Sequence, residues 1–339
     1  MSRVIVTGAG GYIGCILVEE LLEAGHHVVA VDRWFFGGTL DRLAGHDRLL
    51  RVRKDIRDLS IPDFDGVDAV CDLAALSNDP SGDLDPTLTE SINHRGRVHV
   101  AAVAKEAGVG RYVLSSSCSV YGAGHEAELT EDAPVDPLTV YARSNLAAEV
   151  DTKALGDDGF VVTALRNGTV FGVSPRMRFD LVVNLMTLHA FERGRIVVTG
   201  GGRQWRPLVH VRDVARAFLA VLDAPVEHVA GQAFNVGVAN FRVRTIASVA
   251  REILPIPVRI DVAPDDPDKR NYSASFDKLQ ASTGFRATVG IEEGIREVYD
   301  ALKYGDVEAS ARTSTVGWYR RLLEAKSLID ELELDGRLL

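Results

Sequence analysis

The sequence predicts an α/β fold, a doubly wound parallel sheet followed by a smaller and less regular C-terminal region. Three observations carry this. Short apolar, β-rich runs alternate with helical patterns through the first half of the chain. A glycine-spaced turn, Gly8-Ala9-Gly10-Gly11-Tyr12-Ile13-Gly14, stands between the run Val4-Ile5-Val6 and the first helical pattern. After about residue 170 the alternation loosens, with no sharp linker to mark a second domain.

Taken in order, residues 3–7 read as a strand and 12–24 as a helix. Residues 27–32 are a second strand that ends on Asp32, and Leu49-Leu50-Arg51-Val52 is β-like. Residues 67–73 and 110–115 are further buried strands, separated by an alanine-rich amphipathic helix over 91–107. A helix over 138–155 leads into the strand Phe160-Val161-Val162-Thr163-Ala164-Leu165. This βαβ rhythm implies a parallel sheet covered on both sides. Beyond it come a polar stretch at 172–180, a helical Leu181–Glu192, a glycine cluster at 200–202, and a strand and helix over 208–223. Asp261–Arg270 reads as a loop rich in Pro and Asp, 289–303 as a closing helix, and 315–333 as a helical tail.

The 339 residues are 46% hydrophobic, enough for a sizeable core, and carry a formal charge of −10. No strong basic stretch stands out, so nucleic acid is not an expected partner. An acidic chain can still hold an anionic substrate with a few local arginines. Cys15, Cys71 and Cys118 have no metal-ligand spacing and read as reduced thiols, with no metal expected. No charged flank with an apolar run precedes the first strand. No apolar stretch approaches the ~18 residues that a membrane helix needs. A cytoplasmic protein with no membrane partner is the expectation.

Gly8, Gly11 and Gly14 lie where backbone N–H groups can approach a pyrophosphate at a helix N-terminus. An ordinary glycine-rich turn is the plain alternative, and the strand–loop–helix setting argues against it. A carboxylate at Asp32 can accept from a ribose 2′-hydroxyl and would repel a 2′-phosphate, which favours NAD over NADP. Arg33 beside it could pair with such a phosphate. Asp55-Ile56, after the β-like run, could border the adenine.

The segment Leu114-Ser115-Ser116-Ser117-Cys118-Ser119-Val120-Tyr121-Gly122 follows a buried strand, where α/β ligands bind. Tyr141 opens a helical pattern, and its phenol could pass a proton to or from a carbinol oxygen. A phenol of pKa near ~10 needs a nearby cation for that work. A lysine four residues on would lie one helical turn away, but Asn145 stands there. Arg143 points elsewhere on the helix.

On these motifs the chain resembles the extended short-chain dehydrogenase/reductases, in their NAD-dependent nucleotide-sugar epimerase/dehydratase branch. Further support comes from Asp55-Ile56-Arg57-Asp58, Leu73-Ala74-Ala75, Asn93 and Arg206-Pro207-Leu208-Val209-His210-Val211-x-Asp213. The resemblance implies a Rossmann-type NAD-binding domain over 1–170, its sheet completed by segments near 205–240. It implies a mainly substrate-binding region over 171–310, and leaves 311–339 as a helical tail. Ser117 and Tyr141 would be catalytic, with Asn145 on the family lysine's position. Gly8, Gly11, Tyr12, Ile13, Gly14, Asp32, Arg33, Asp55, Ile56, Leu73, Ala74, Ala75, Asn93 and Ser115 would bind NAD with Tyr141 and Asn145. Thr169, Arg178, Asn184, Arg206 and Arg270, with Ser117, would hold a UDP-, dTDP- or GDP-linked sugar. The family also implies a homodimer through the helices over 91–107 and 139–155.

The expected activity is epimerisation of a nucleotide sugar, at C4, by oxidation to a keto-sugar and re-reduction. A ketoreductase or dehydrogenase of a sugar nucleotide or related alcohol is the first alternative. A catalytically silent NAD- or sugar-nucleotide-binding protein is the second, and Asn145 is its best evidence. The family's 4,6-dehydratases place Asp-Glu after the catalytic Thr. Here Cys118-Ser119 follow Ser117, which disfavours dehydration.

Overall fold

The computed structural model describes residues 1–264, 270–334 and 337, and only the backbone of 124–127. The first half of the chain runs β1 (Arg3–Thr7), α1 (Tyr12–Glu23), β2 (His27–Asp32), β3 (Leu49–Arg53), β4 (Ala69–Asp72), α2 (Asp79–Gly82), α3 (Pro86–Glu90), α4 (Arg97–Glu106), β5 (Arg111–Ser117), β6 (Ala123–Leu129), α5 (Val140–Ala154) and β7 (Val161–Asn167). A π-helical turn, Ser91–Gly96, feeds directly into α4. The second half runs β8 (Thr169–Phe171), α6 (Val182–Arg193), β9 (Arg195–Val198), β10 (Trp205–His210), α7 (Val211–Asp223), α8 (Val226–Val229), β11 (Ala233–Val236), β12 (Ala239–Arg242), α9 (Val243–Ile253), β13 (Arg259–Val262), β14 (Asn271–Ala274), α10 (Asp277–Thr283), α11 (Ile291–Tyr304) and α12 (Thr315–Leu332).

Seven strands form one sheet in the order β11-β7-β5-β4-β1-β2-β3, and every pairing in it is parallel. The period of two along each strand sends alternate side chains to opposite faces. Val4, Val6, Val28, Ala30 and Val113 therefore pack on one side with α1 and α7. Ile5, Val29, Val31, Tyr112 and Leu114 pack on the other with α4 and α5. Burial on both faces is why these strands read as continuous apolar runs. This is the Rossmann-like, doubly wound fold that the alternation predicts.

The order reverses between β1 and β4, so a crevice opens at their C-terminal ends, the place where such sheets bind ligands. The second half supplies the opposite wall. There β12-β10-β8 form a small sheet, and the pairs β13-β9 and β14-β6 lie apart from the main one. Phe171, Val183, Met186, Ile196, Leu208 and Ile246 give this part its own apolar cluster.

Two parts of the sequence reading need correction. The loop read over Asp261–Arg270 begins two residues too early, because Asp261 and Val262 end β13; residues 265–269 lie outside the described residues. The strands β6, β8, β9, β12, β13 and β14 have no counterpart in the reading, and β11 falls within the segments near 205–240 without being read as a strand, because short or half-exposed pairs make weak apolar runs. The tail does form a helix, α12. Its first turns pack on the sheet's C-terminal edge: Trp318 Nε1 donates to the Phe35 carbonyl at 2.8 Å, and Tyr319 sits edge-on to Phe35. Among the described residues no helix is long and apolar enough to cross a membrane.

Candidate active site

A cleft of about 680 Å³ lies along the C-terminal edge of the sheet, between β1, β2, β4 and β5 on one side and the 167–206 region on the other. Gly8, Gly11 and Gly14 form its floor. Gly8 has φ +65°, and a Cβ there would stand 2.9 Å from the backbone of Leu73 and Ala74. A Cβ on Gly14 would stand 2.2 Å from the Gly8 carbonyl oxygen. Only hydrogen fits at that approach of helix to strand, so Gly14→Ala is expected to push α1 off β1. The result is a protein that purifies with little bound dinucleotide and melts earlier, read by absorbance of the released cofactor and by a thermal scan.

Asp32 caps the cleft's far end. Its Oδ1 accepts from Trp34 N at 2.6 Å and its Oδ2 from Gly10 N at 3.0 Å, so the carboxylate braces the loop as well as facing the cleft. Burial raises its pKa and these backbone donors oppose the rise. Arg33 does not reach across the opening. It donates to Asp55 at 3.0 Å and lies over the Phe35 ring. Asp55 also takes a two-pronged pair from Arg57, whose hydrogen bonds lead the fall of its pKa to about 2. Ile56, Leu73, Ala74 and Ala75 line the same end, and Tyr12 and Ile13 the wall. The Tyr12 hydroxyl donates to the Gly172 carbonyl at 2.6 Å and ties the two halves of the cleft together.

Ser115, Ser117, Tyr141 and Asn145 meet in the middle of the cleft. β5 delivers the serines at its C-terminal end, and Tyr141 stands in the first turn of α5, which Thr139 caps by accepting from Ala142 N. The Ser117 hydroxyl lies close enough to Tyr141 to favour its phenolate. Burial raises the Tyr141 pKa and Asp79 adds to the rise; Ser117 and the charges of Arg97 and Arg178 oppose it. The net direction is upward. The pair can hand a proton between a substrate hydroxyl and Tyr141, with Ser117 as the bridging donor.

Thr169, Arg178, Arg206 and Arg270 also reach the cleft. Arg178 is held by both oxygens of Asp180 at 3.0 Å. Arg206 donates to the Arg270 carbonyl at 2.6 Å, and Arg270 pairs with Asp79 across the opening. Two residues read as ligand-binding are not among those that line the cleft. Asn93 spends its amide on both backbone groups of Leu76, at 2.8 and 3.1 Å, and so fixes the loop after β4. Asn184 accepts from Gly172 N and donates to Tyr12 Oη and the Arg178 carbonyl. Both are fully buried, and their amides complete backbone loops around the cleft. Cys118 is buried too: its thiol donates to the Arg166 carbonyl, and burial pushes its pKa up.

Two arginines escaped the sequence reading as site residues. Arg176 lines the cleft, stacks 3.8 Å over Phe36, and is 4% exposed. Its Nη2 donates to Thr315 Oγ1, while its Nε and Nη1 have no partner among the described residues. Burial, with Arg178 next to it, pushes this guanidinium down to about 10. A buried cation with orphaned donors favours an anion beside it. The second is Arg97, wholly buried at the start of α4. Its signal was present in the sequence: it falls on the same helical stripe as Val100, Ala101 and Ala104, all buried.

Residues 4–237 match the NAD dependent epimerase/dehydratase family. The chain belongs to that family. It is an extended short-chain dehydrogenase/reductase, and its cofactor is NAD. Its relatives include UDP-glucuronic acid decarboxylase 1 of Xenopus tropicalis, 26% identical over 310 residues, which cover 87% of this chain and 71% of that one. Among solved structures, MoeE5 in complex with UDP-glucuronic acid and NAD superposes with a TM-score of 0.78 at 29% identity, over 89% of this chain and 99% of that one. DesIV, a dTDP-glucose 4,6-dehydratase from Streptomyces venezuelae with NAD and TYD bound, superposes at 0.77 with 26% identity, over 89% and 97%.

The epimerase/dehydratase cleft of this chain fits NAD on its own geometry. The Gly8 and Gly14 cradle leaves no room for a side chain, and the orphaned donors of Arg176 suit a pyrophosphate. Hydrogen bonds to a charged group contribute about 1.5–3 kcal/mol. Arg176→Met is therefore expected to weaken NAD binding roughly tenfold to a hundredfold, measured by titrating cofactor-stripped protein. An unchanged affinity would remove Arg176 from the cofactor site. Among the described residues there is no cluster of His, Cys, Asp and Glu able to hold a metal.

Proposed function

We propose that this enzyme is a nucleotide-sugar 4-epimerase that oxidises the sugar at C4, lets the keto-sugar turn, and reduces it from the other face. The observation that carries the reading is the Ser117–Tyr141 couple, set at the middle of the cleft with no acidic side chain on the two residues that follow Ser117. Cys118 and Ser119 are both buried. An elimination needs an acid and a base beside C5 and C6, and this segment offers neither.

In this mechanism Tyr141, as phenolate, takes the proton of the C4 hydroxyl, and Ser117 holds the same oxygen. NAD, held at the Gly8–Gly14 cradle, would supply the hydride acceptor for C4 and, once reduced, the hydride donor. Tyr141 then returns its proton to the C4 oxygen of the inverted product. Arg178, Arg206 and Arg270 hold the diphosphate, so that the sugar ring can swing while the nucleotide stays fixed. Thr169 and Ser115 complete the polar lining. Two copies joined through α4 and α5 are the assembly this reading expects, with the exposed Val150 on α5 at the seam.

The decarboxylase relatives and the UDP-glucuronic acid in MoeE5 favour one second reading, loss of carbon dioxide from a uronic acid after the same C4 oxidation. Incubation with UDP-glucuronic acid and UDP-glucose, followed by mass and NMR analysis of the product, separates the two. An isomer of unchanged mass, formed without added NADH, supports the epimerase. A pentose product supports the decarboxylase. Steady consumption of NADH with a keto-sugar would place the enzyme among the reductases.

A further inference from the structure

The catalytic tyrosine's partner at 145 is neutral, yet the structure puts a permanent charge behind it. Arg97 Nη1 donates to Asn145 Oδ1 at 3.0 Å. Asn145 Nδ2 donates in turn to the Tyr141 backbone carbonyl at 3.0 Å. The guanidinium's other edge is fully engaged. Nη2 donates to the carbonyl oxygens of Ser115, at 2.6 Å, and Asp72, at 2.9 Å; Nε donates to Asp72 Oδ2 at 3.2 Å. Thr7 and Tyr112 donate to the Asp72 carboxylate as well. Arg97 and Asp72 thus form a buried dipole. Its anionic end is anchored at β1 and β5, and its cationic end is turned to α5.

We infer that Arg97 is the positioning cation of this active site, doing from beneath Asn145 the electrostatic work that the family assigns to a lysine at that position. The inference rests on Tyr141 being the acid–base group. Asn145 is then a coupler: its amide oxygen receives the guanidinium, and its amide nitrogen returns to the turn of α5 that carries Tyr141. A guanidinium keeps its charge at any working pH, whereas a buried ammonium readily loses its proton. The charges with the largest influence on Tyr141 are Asp79, which raises its pKa, and Arg97 and Arg178, which lower it. Arg178 is matched by Asp180 and Asp79 by Arg270. A lysine added at 145 would meet Arg97 head-on.

The test reads Tyr141 directly. Phenolate absorbance of the NAD-loaded protein is titrated with pH, and each variant's Tyr141→Phe counterpart is subtracted. No sugar is needed, so the result stands whether or not the epimerase reading does. The pH profile of NADH formation on a sugar nucleotide is the second readout. In Asp72→Asn/Arg97→Met, which removes both ends of the ion pair and strands neither, Tyr141 is expected to titrate higher. Each unit of that rise means about tenfold less phenolate at neutral pH. In Arg97→Met/Asn145→Lys, which moves the charge to the family position, Tyr141 is expected to titrate near its wild-type value. Asn145→Lys alone is expected to be slower than wild type.

An unmoved Tyr141 titration in folded, NAD-bound Asp72→Asn/Arg97→Met would overturn the inference. Should that variant not fold, Arg97→Met/Asn145→Lys decides: a titration near wild type supports the inference, and a raised one contradicts it. If neither folds, Asn145→Lys decides, since a faster enzyme would show that the native site lacks its cation and a slower one that Arg97 already supplies it.

Discussion

Tyr141→Phe is expected to lower turnover about 10²–10⁴-fold, the range lost when a positioned acid–base group is removed. The change deletes one oxygen and leaves the ring. The residue is held close at its base, since a Cβ on Gly82 would stand 2.9 Å from Tyr141 Cβ. The fold and the glycine cradle should be untouched, so the variant is expected to purify with its NAD and to melt with the wild type. Activity within a few-fold of wild type would remove Tyr141 from the chemistry. Loss of bound NAD would mean that the tyrosine's chief role is to hold the cofactor.

A second large effect is expected behind the reactive serines. Arg166 on β7 donates to both oxygens of Glu149 on α5, at 2.8–3.2 Å, and to Tyr121 Oη and the Glu131 carbonyl. Ser116 donates to the same carboxylate. The Arg166 and Glu149 side chains are 9% and 7% exposed. Arg166→Met would leave Glu149 buried without its counter-charge. Breaking one side of a buried pair costs about 3–5 kcal/mol, a large share of the roughly 5–15 kcal/mol that holds a domain together. The melting temperature and the denaturant midpoint should both fall clearly. A variant as stable as wild type would show that the helix α5 is anchored to the sheet by apolar packing alone.

Sequence and structure agree where the physics is local. β1, β2, β4 and β5 are buried on both faces, so apolar runs reveal them. The turn at Gly8–Gly14 is one covalent stretch whose spacing already states how close helix and strand come. Ser117 and Tyr141 sit in segments with their own local signatures. Agreement fails where a residue's task is set by a partner far along the chain. Asn93 and Asn184 are polar residues in the right segments, but their amides are spent on Leu76 and Gly172. Arg176 meets α12 through Thr315, a contact 139 residues away in sequence. The family lysine would stand one helical turn from Tyr141, while Arg97 comes from another helix, 48 residues from Asn145. The apolar stripe of α4 was the one local hint, since an arginine on it must have a buried partner.

The most direct test of the central claim is to follow hydrogen at C4. Purified protein, with no added NADH, is incubated in D₂O with UDP-, dTDP- and GDP-sugars, and the product is analysed by NMR and mass spectrometry. Oxidation and re-reduction by a retained cofactor predict a C4 epimer whose carbon-bound hydrogens all come from the substrate, with no solvent deuterium at C4 or C5. Deuterium at C5, or a product that has lost water, would contradict the account and point to elimination or C5 chemistry in this cleft.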